Sequence, residues 1–175
     1  MSDKNLTEWL GVALEMETKG KAFYDRLEKA AANELGREIF HLLGTDEGVH
    51  IQRIEVIYDG LRSDRAWSRG WQALAPKRPD LTAIFRELAA VRGKQVTADT
   101  ADIEALDLGI EFEGKSVTFY SRRLAEAVEE MEREFLAQML AEEKGHHRAL
   151  ADMQFYLKDP AGYFREREKL HVDGG

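Results

Sequence analysis

The feature that most constrains this chain is an internal repeat at an offset of 96 residues. Segment 14–24 (LEMETKGKAFY) overlays segment 110–120 (IEFEGKSVTFY), and five of the eleven positions are identical. The same offset, without a gap, places DEGVH (46–50) on EEKGH (142–146). Because both matches fall on glutamate and histidine, we expect two similar halves that bring the same polar side chains into one structure.

Hydrophobic spacing predicts that both halves are helical. Apolar and small residues recur every three or four positions from Leu6 to Ala31, which indicates a first helix over about 5–33. The same period predicts a second helix over about 35–59, with Gly60 as its stop, and a third long helix from near 99–102 to about 127. A fourth helix, about 129–158, ends at Asp159-Pro160, and Asp80 is expected to cap a short helix reaching about Val91.

The links between the helices predict how they are arranged. Helices one and two are joined closely, as are the last two long helices, so each pair is expected to form an antiparallel hairpin. Residues 61–100 are long enough to cross the length of a bundle between the pairs. We therefore predict one all-α domain over residues 1–175, a ferritin-like four-helix bundle with a long crossover. Trp67 and Trp71 are expected to fasten the crossover to the bundle, with a subunit interface as the alternative.

The composition excludes several functional classes. The chain has no cysteine, which rules out disulfides, thiolate metal sites and thiol catalysis. Its net charge of −8 argues against binding to nucleic acid or to an anionic membrane. No basic leader with an apolar run is visible, and no run approaches the ~20 apolar residues of a membrane span. We expect a cytoplasmic protein.

The repeat carries the residue types of a dinuclear metal site. Residues three apart share one face of a helix, so each Glu-x-x-His pair can bind the same site. Each half adds a lone glutamate on another helix. Four carboxylates balance the charge of two divalent ions, and bundles with two iron or two manganese ions use this set. The candidate metal ligands are Glu17, Glu47, His50, Glu113, Glu143 and His146.

Neighbouring acids are alternatives at some positions. Asp46 and Glu142 could replace Glu47 and Glu143, but the i, i+3 spacing to histidine repeats only for the latter two. Glu15 and Glu111 are expected to face solvent, because they lie about 200° around the helix from the lone glutamates. His41, His147 and His171 have no repeat partner and are expected at the surface.

Two further pairs lie on the same faces. Tyr24 and Tyr120 follow the lone glutamates by two helical turns. They are candidate catalytic residues whose hydroxyls bond to a ligand carboxylate in the opposite half, or they are ordinary core tyrosines. Gly20 and Ser116, one turn after those glutamates, either leave room for an oxidant or allow close helix packing.

The four helical segments resemble the rubrerythrin branch of the ferritin-like superfamily. The resemblance is carried by ALEMETKGKAFY, LGTDEGVHIQRI, LDLGIEFEGKSVTFY and MLAEEKGHHRAL, and the tail YLKDPAGYFREREKLHVDGG is similar as well. It covers about 6–60 and 100–175 and omits the crossover. It implies that the six candidate ligands bind two iron ions, with manganese or zinc as other metals that fit. It also implies reduction of hydrogen peroxide or dioxygen at the reduced site.

The chain departs from that family in two respects. Rubrerythrins end in a rubredoxin-like domain that holds iron in four cysteines, so electrons here are expected from an external donor protein or a small reductant. Rubrerythrins also carry an additional ligating glutamate where this chain has Ser116. The resemblance therefore does not extend to the iron movement that this ligand supports. We expect a homodimeric oxidoreductase, with iron storage or ferroxidase-type iron handling as the alternative.

Overall fold

The computed structural model describes residues 3–63, 67–74, 78–93 and 100–172, and their side chains except those of 3–6 and 170–172. Within these ranges every regular element is helical, which confirms the all-α prediction. The predicted positions of Leu6 and His171 lie outside the described side chains, and the crossover is described only in part. The helices are α1 (Asp3–Ala30), α2 (Glu34–Ser63), a 3₁₀-helix (Arg69–Ala73), α3 (Leu81–Arg92), α4 (Thr100–Glu126), α5 (Glu130–Lys158) and α6 (Pro160–Val172).

Two apolar clusters define the directions of the four long helices. The first cluster includes Tyr24, Leu35, Leu106 and Leu150. The second cluster includes Leu10, Ile57, Tyr120 and Phe135. By residue number, α1 and α5 run from the second cluster to the first, whereas α2 and α4 run in the opposite direction. The pairs α1–α2 and α4–α5 are therefore antiparallel hairpins, as predicted.

The crossover passes from one end of the bundle to the other. Helix α2 ends in the second cluster and α4 begins in the first. The side chain of Trp71, in the 3₁₀-helix, is buried in the second cluster, and Phe85 of α3 is buried in the first. Trp67 stacks on Trp9 with ring centroids 6.3 Å apart. Both tryptophans of the crossover thus contact the bundle.

The prediction that α2 stops at Gly60 is wrong, because the helix continues to Ser63. Leu61 packs against the second cluster, and this apolar contact favours a further turn. The hydroxyl of Ser63 donates to the carbonyl of Asp59 at 2.9 Å. Among the described glycines only Gly93, directly after α3, has a positive φ, so Gly60 does not adopt the left-handed conformation of a helix stop.

The ends of α3 and α5 follow their predicted signals. The carboxylate of Asp80 accepts from the amides of Thr82 and Ala83 and caps α3. Helix α5 ends before Asp159, and Pro160 then opens α6, a separate helix that the sequence analysis did not predict. In the part of the chain described above, no helix is long and apolar enough to cross a membrane.

Candidate metal centre

A polar layer separates the two apolar clusters midway along the bundle. On each of the four long helices, the candidate ligands lie between the residues of the first cluster and those of the second. Their side chains are at most 3% exposed, although four of them are carboxylic acids. The six buried residues are Glu17, Glu47, His50, Glu113, Glu143 and His146.

The layer forms two overlapping groups that could each hold one ion. The first group consists of Glu17, Glu47, His50 and Glu143, and the second of Glu47, Glu113, Glu143 and His146. In each group the four possible ligand atoms lie within 4.8 Å of one another. Glu47 and Glu143 belong to both groups, whereas each group has its own histidine and its own lone glutamate. Two adjacent ions could therefore be held by these groups, and Glu47 and Glu143 would be within reach of both.

Unpartnered atoms at this centre fit a cation. Among the described residues, no hydrogen bond of good geometry reaches either carboxylate oxygen of Glu47 or Glu143, Oε2 of Glu113 or Nδ1 of His146. A buried polar atom left without a partner costs about 1–3 kcal/mol, and more if it is charged. These atoms converge on the two groups, and oxygen with imidazole nitrogen suits iron, manganese or zinc. A pair of divalent ions would satisfy all of them together.

The protonation of the metal-free layer is divided unevenly. Burial raises the pKa of Glu47 and of Glu143, and the negative charge of Glu17 raises both further. Burial also disfavours ionisation of Glu17, but the adjacent Glu47 carboxyl and the hydrogen bonds to His50 and Tyr120 outweigh it and lower its pKa to about 2. The two carboxyls shared between the groups therefore bind protons most readily, and metal ions would displace those protons.

The tyrosine hydroxyls link the two halves. Tyr24 of α1 donates to Glu113 of α4, and Tyr120 of α4 donates to Glu17 of α1. Burial and then the carboxylate charge raise the pKa of each phenol, so each keeps its proton and remains a donor. Each lone glutamate is thus oriented by the tyrosine of the opposite half, in the geometry that the repeat predicts. A catalytic role for either tyrosine stays a prediction.

The outer nitrogens of both histidines bond to the neighbouring acids. His50 Nε2 lies 2.8 Å from Glu142, and His146 Nε2 lies 3.1 Å from Asp46. Their Nδ1 atoms face the inner carboxylates, at 3.0 Å from Glu143 for His50 and at 3.7 Å from Glu113 for His146. Asp46 and Glu142 belong to neither of the two ligand groups. They hold the imidazoles so that Nδ1 points inward.

Two arginines behind these acids were missed by the sequence analysis. Arg53 bonds to Glu142, and Arg78 bonds to Asp46. The sequence contains a signal for Arg53, because this residue follows His50 by three positions and so lies on the same face of α2. In the structure Arg53 is buried, with 1% exposed. Arg78 lies in the crossover, where no periodicity or repeat relates it to Asp46.

The small residues and remaining histidines have simpler surroundings. A Cβ atom at Gly20 would lie 2.8 Å from the ring of Phe112, which supports a packing role for this glycine. Ser116 is buried on α4, and its hydroxyl faces the carbonyl of Phe112. His41 is exposed beside Glu28, as expected, whereas His147 is half-buried.

Comparison with known proteins gives one match. The family model described as rubrerythrin matches residues 8–154. The matched range includes the crossover, which the motif resemblance had omitted, and it ends before α6. No curated protein and no solved structure matches the chain significantly.

Proposed function

The chain belongs to the rubrerythrin family, and from that premise we propose that it is a di-iron oxidoreductase that reduces hydrogen peroxide or dioxygen. The observation that carries the proposal is the pair of overlapping ligand groups that share Glu47 and Glu143. Iron bound between these carboxylates would supply the redox electrons and the Lewis acidity of the reaction.

The protein's own residues set the conditions for this chemistry. Glu47 and Glu143 would help to hold both ions, Glu17 and His50 would complete the first group, and Glu113 and His146 would complete the second. Tyr24 and Tyr120 orient the two lone glutamates by hydrogen bonding. The apolar clusters border the layer on both sides along the bundle. We further propose that the protein is a homodimer and that an external donor protein or a small reductant supplies its electrons.

The test combines iron content with peroxide consumption. Anaerobically loaded, reduced protein should contain two iron ions per chain and should consume peroxide in repeated turnovers when a reductant is supplied. Glu17→Ala and Glu143→Ala should each lower the iron content and abolish turnover. Glu15→Ala is the matched control, because this exposed glutamate lies two residues before Glu17 and, among the described residues, forms an ion pair only with Lys19. Two bound iron ions in the Glu143→Ala variant would contradict the site assignment.

A second candidate function is iron handling without peroxidase turnover. It is favoured by Ser116, which is buried on the metal-facing side of α4 and offers no carboxylate where the resemblance implies an additional ligand. In that case the reduced protein would oxidise its iron once and would not turn over with peroxide. Assembly into a closed shell of many subunits would support storage, whereas a dimer would support the enzyme.

A further inference from the structure

The two ligand groups are matched, but the contacts behind their histidines differ. Each histidine presents Nδ1 to the inner carboxylates and Nε2 to an acid on the other hairpin. These outer acids, Glu142 for His50 and Asp46 for His146, occupy equivalent positions of the repeat. The residues that hold the two acids are not equivalent, because Arg53 lies within α2 and Arg78 lies in the crossover.

The contacts behind His50 are numerous and engage both oxygens of Glu142. Arg53 donates to both oxygens of Glu142, at 2.6 and 3.2 Å, and Gln138 donates to the same carboxylate at 2.6 Å. The Nε atom of Arg53 also donates to the carbonyl of Leu74 at 2.5 Å. The Arg53 side chain is 2% exposed. Paired bonds from a planar guanidinium fix the carboxylate in position as well as in charge.

The contacts behind His146 are fewer. Arg78 reaches only Oδ2 of Asp46, the same oxygen that faces His146 Nε2. Oδ1 of Asp46 is buried and has no hydrogen-bond partner among the described residues. The Arg78 side chain is 18% exposed, against 2% for Arg53. A single shared oxygen leaves Asp46 less firmly oriented than Glu142.

A cavity adjoins the His146 side. Its volume is about 350 Å³, and its lining includes Asp46, Arg78, Leu81, His146 and Arg148. Glu142 also lines this cavity, and Arg53 lines a separate cavity of about 550 Å³, but His50 lines neither of them. Of the two candidate histidine ligands, His146 is therefore the one that solvent or a small ligand can approach.

We propose that the two metal positions are unequal, with the ion bound through His146 held more weakly and released faster than the ion bound through His50. The proposal rests on the proposed two-metal function. Outer partners of metal-binding histidines typically change metal affinity by about 10–100-fold when they are removed. Arg78 acts as a positioning residue through Asp46, and it makes retention of one ion depend on the crossover.

The test uses the full-length protein loaded with Co²⁺, whose visible absorption reports the coordination of each ion. Release is followed after excess chelator is added. In the unaltered protein we expect one ion to leave at least about tenfold faster than the other. Arg78→Gln should accelerate the fast phase by about tenfold or more and leave the slow phase unchanged. Arg78→Lys should restore part of the difference, because it keeps the charge.

Arg148→Gln is the matched control. It removes a positive charge from the lining of the same cavity, and Arg148 forms no ion pair with the described residues. Both phases should remain as in the unaltered protein. The unfolding temperature of the metal-free Arg78→Gln variant should also stay close to that of the parent, which separates positioning from a general loss of structure.

The possible outcomes distinguish a failure of this inference from a failure of the proposed function. Release of both ions at one rate, or equal acceleration of both phases by Arg78→Gln, would overturn the inequality and leave the two-metal centre intact. Acceleration by Arg148→Gln equal to that by Arg78→Gln would also overturn it, because cavity charge would then be the cause. If the chain binds no Co²⁺, the proposed function fails together with the inference.

Discussion

At the scale of single residues, the chain places acids where burial alone would disfavour them. Glu17 lies on a stripe of apolar residues, and its repeat partner Glu113 made that position interpretable as part of a site. Period and spacing also separated Glu47 from Asp46, because only the former is three residues before a histidine. The bonds between Asp46 and His146 could not be predicted, because they depend on the packing of two helices distant in sequence.

The raised pKa of Glu47 gives a prediction about pH. The pKa of Glu47 is higher in the folded protein than in the unfolded chain. The contribution of such a carboxyl to stability is fully present below its pKa in the unfolded chain, and it is lost as the pH rises through its pKa in the folded protein. Glu47→Gln should therefore stabilise the metal-free protein at pH 7, and the gain should shrink as the pH falls toward 4.5. Urea unfolding in the presence of chelator measures the difference.

The same substitution should abolish binding of two ions, because Glu47 belongs to both groups. Glu15→Gln is the control, since Glu15 is exposed and, among the described residues, forms an ion pair only with Lys19. This substitution should change the unfolding free energy by less than about 0.5 kcal/mol. A metal-free Glu47→Gln protein less stable than its parent at pH 7 would contradict the role assigned to burial.

At the scale of the elements, local signals predicted helix starts better than helix ends. Asp80 caps α3 as expected, because an N-cap depends on a side chain and the next few amides. Helix α2 does not end at Gly60, because Leu61 contacts the second apolar cluster. This tertiary contact cannot be predicted from the neighbouring sequence. Helix α6 was not among the predicted helices because Asp159-Pro160 was interpreted only as the end of α5, whereas proline is also favoured at the first position of a helix.

Gly93 gives a test of the assigned end of α3, and Gly11 serves as a reference position inside a helix. Gly11 lies inside α1, and a Cβ atom there would meet no other atom within 4 Å. Gly11→Ala should therefore raise the unfolding free energy by about 0.5–1 kcal/mol. Gly93 has a φ of 64° after α3, so Gly93→Ala should lower it by about 1 kcal/mol. Equal effects of the two substitutions in chemical denaturation would show that the assigned end of α3 is wrong.

At the scale of the whole molecule, the repeat predicted the bundle because each half must bury the same faces. Each hairpin carries buried glutamates and histidines at equivalent positions. These polar side chains can find partners only if the two hairpins bring them together. The details of the crossover did not follow, since this segment has no counterpart in the repeat. Its contribution of Arg78 therefore emerges from the structure alone.

The polar layer draws residues from all four long helices, so metal binding should stabilise the entire bundle. At free metal about 1,000-fold above Kd, the gain is about 4 kcal/mol. For a chain of this length that corresponds to a rise of roughly 8–16 °C in Tm over the chelated protein. Calorimetry should show one transition in both forms, and Glu47→Gln should remove the rise. A separate metal-dependent transition would contradict a centre shared by both hairpins.

The most direct test of the account is anomalous X-ray diffraction from crystals of the iron-loaded protein. We predict two anomalous peaks between the carboxylates of Glu47 and Glu143, one within reach of Glu17 and His50 and the other within reach of Glu113 and His146. Peaks bound instead by Asp46 or Glu142, or no peak within the bundle, would contradict the assignment of this buried layer as a dinuclear metal centre.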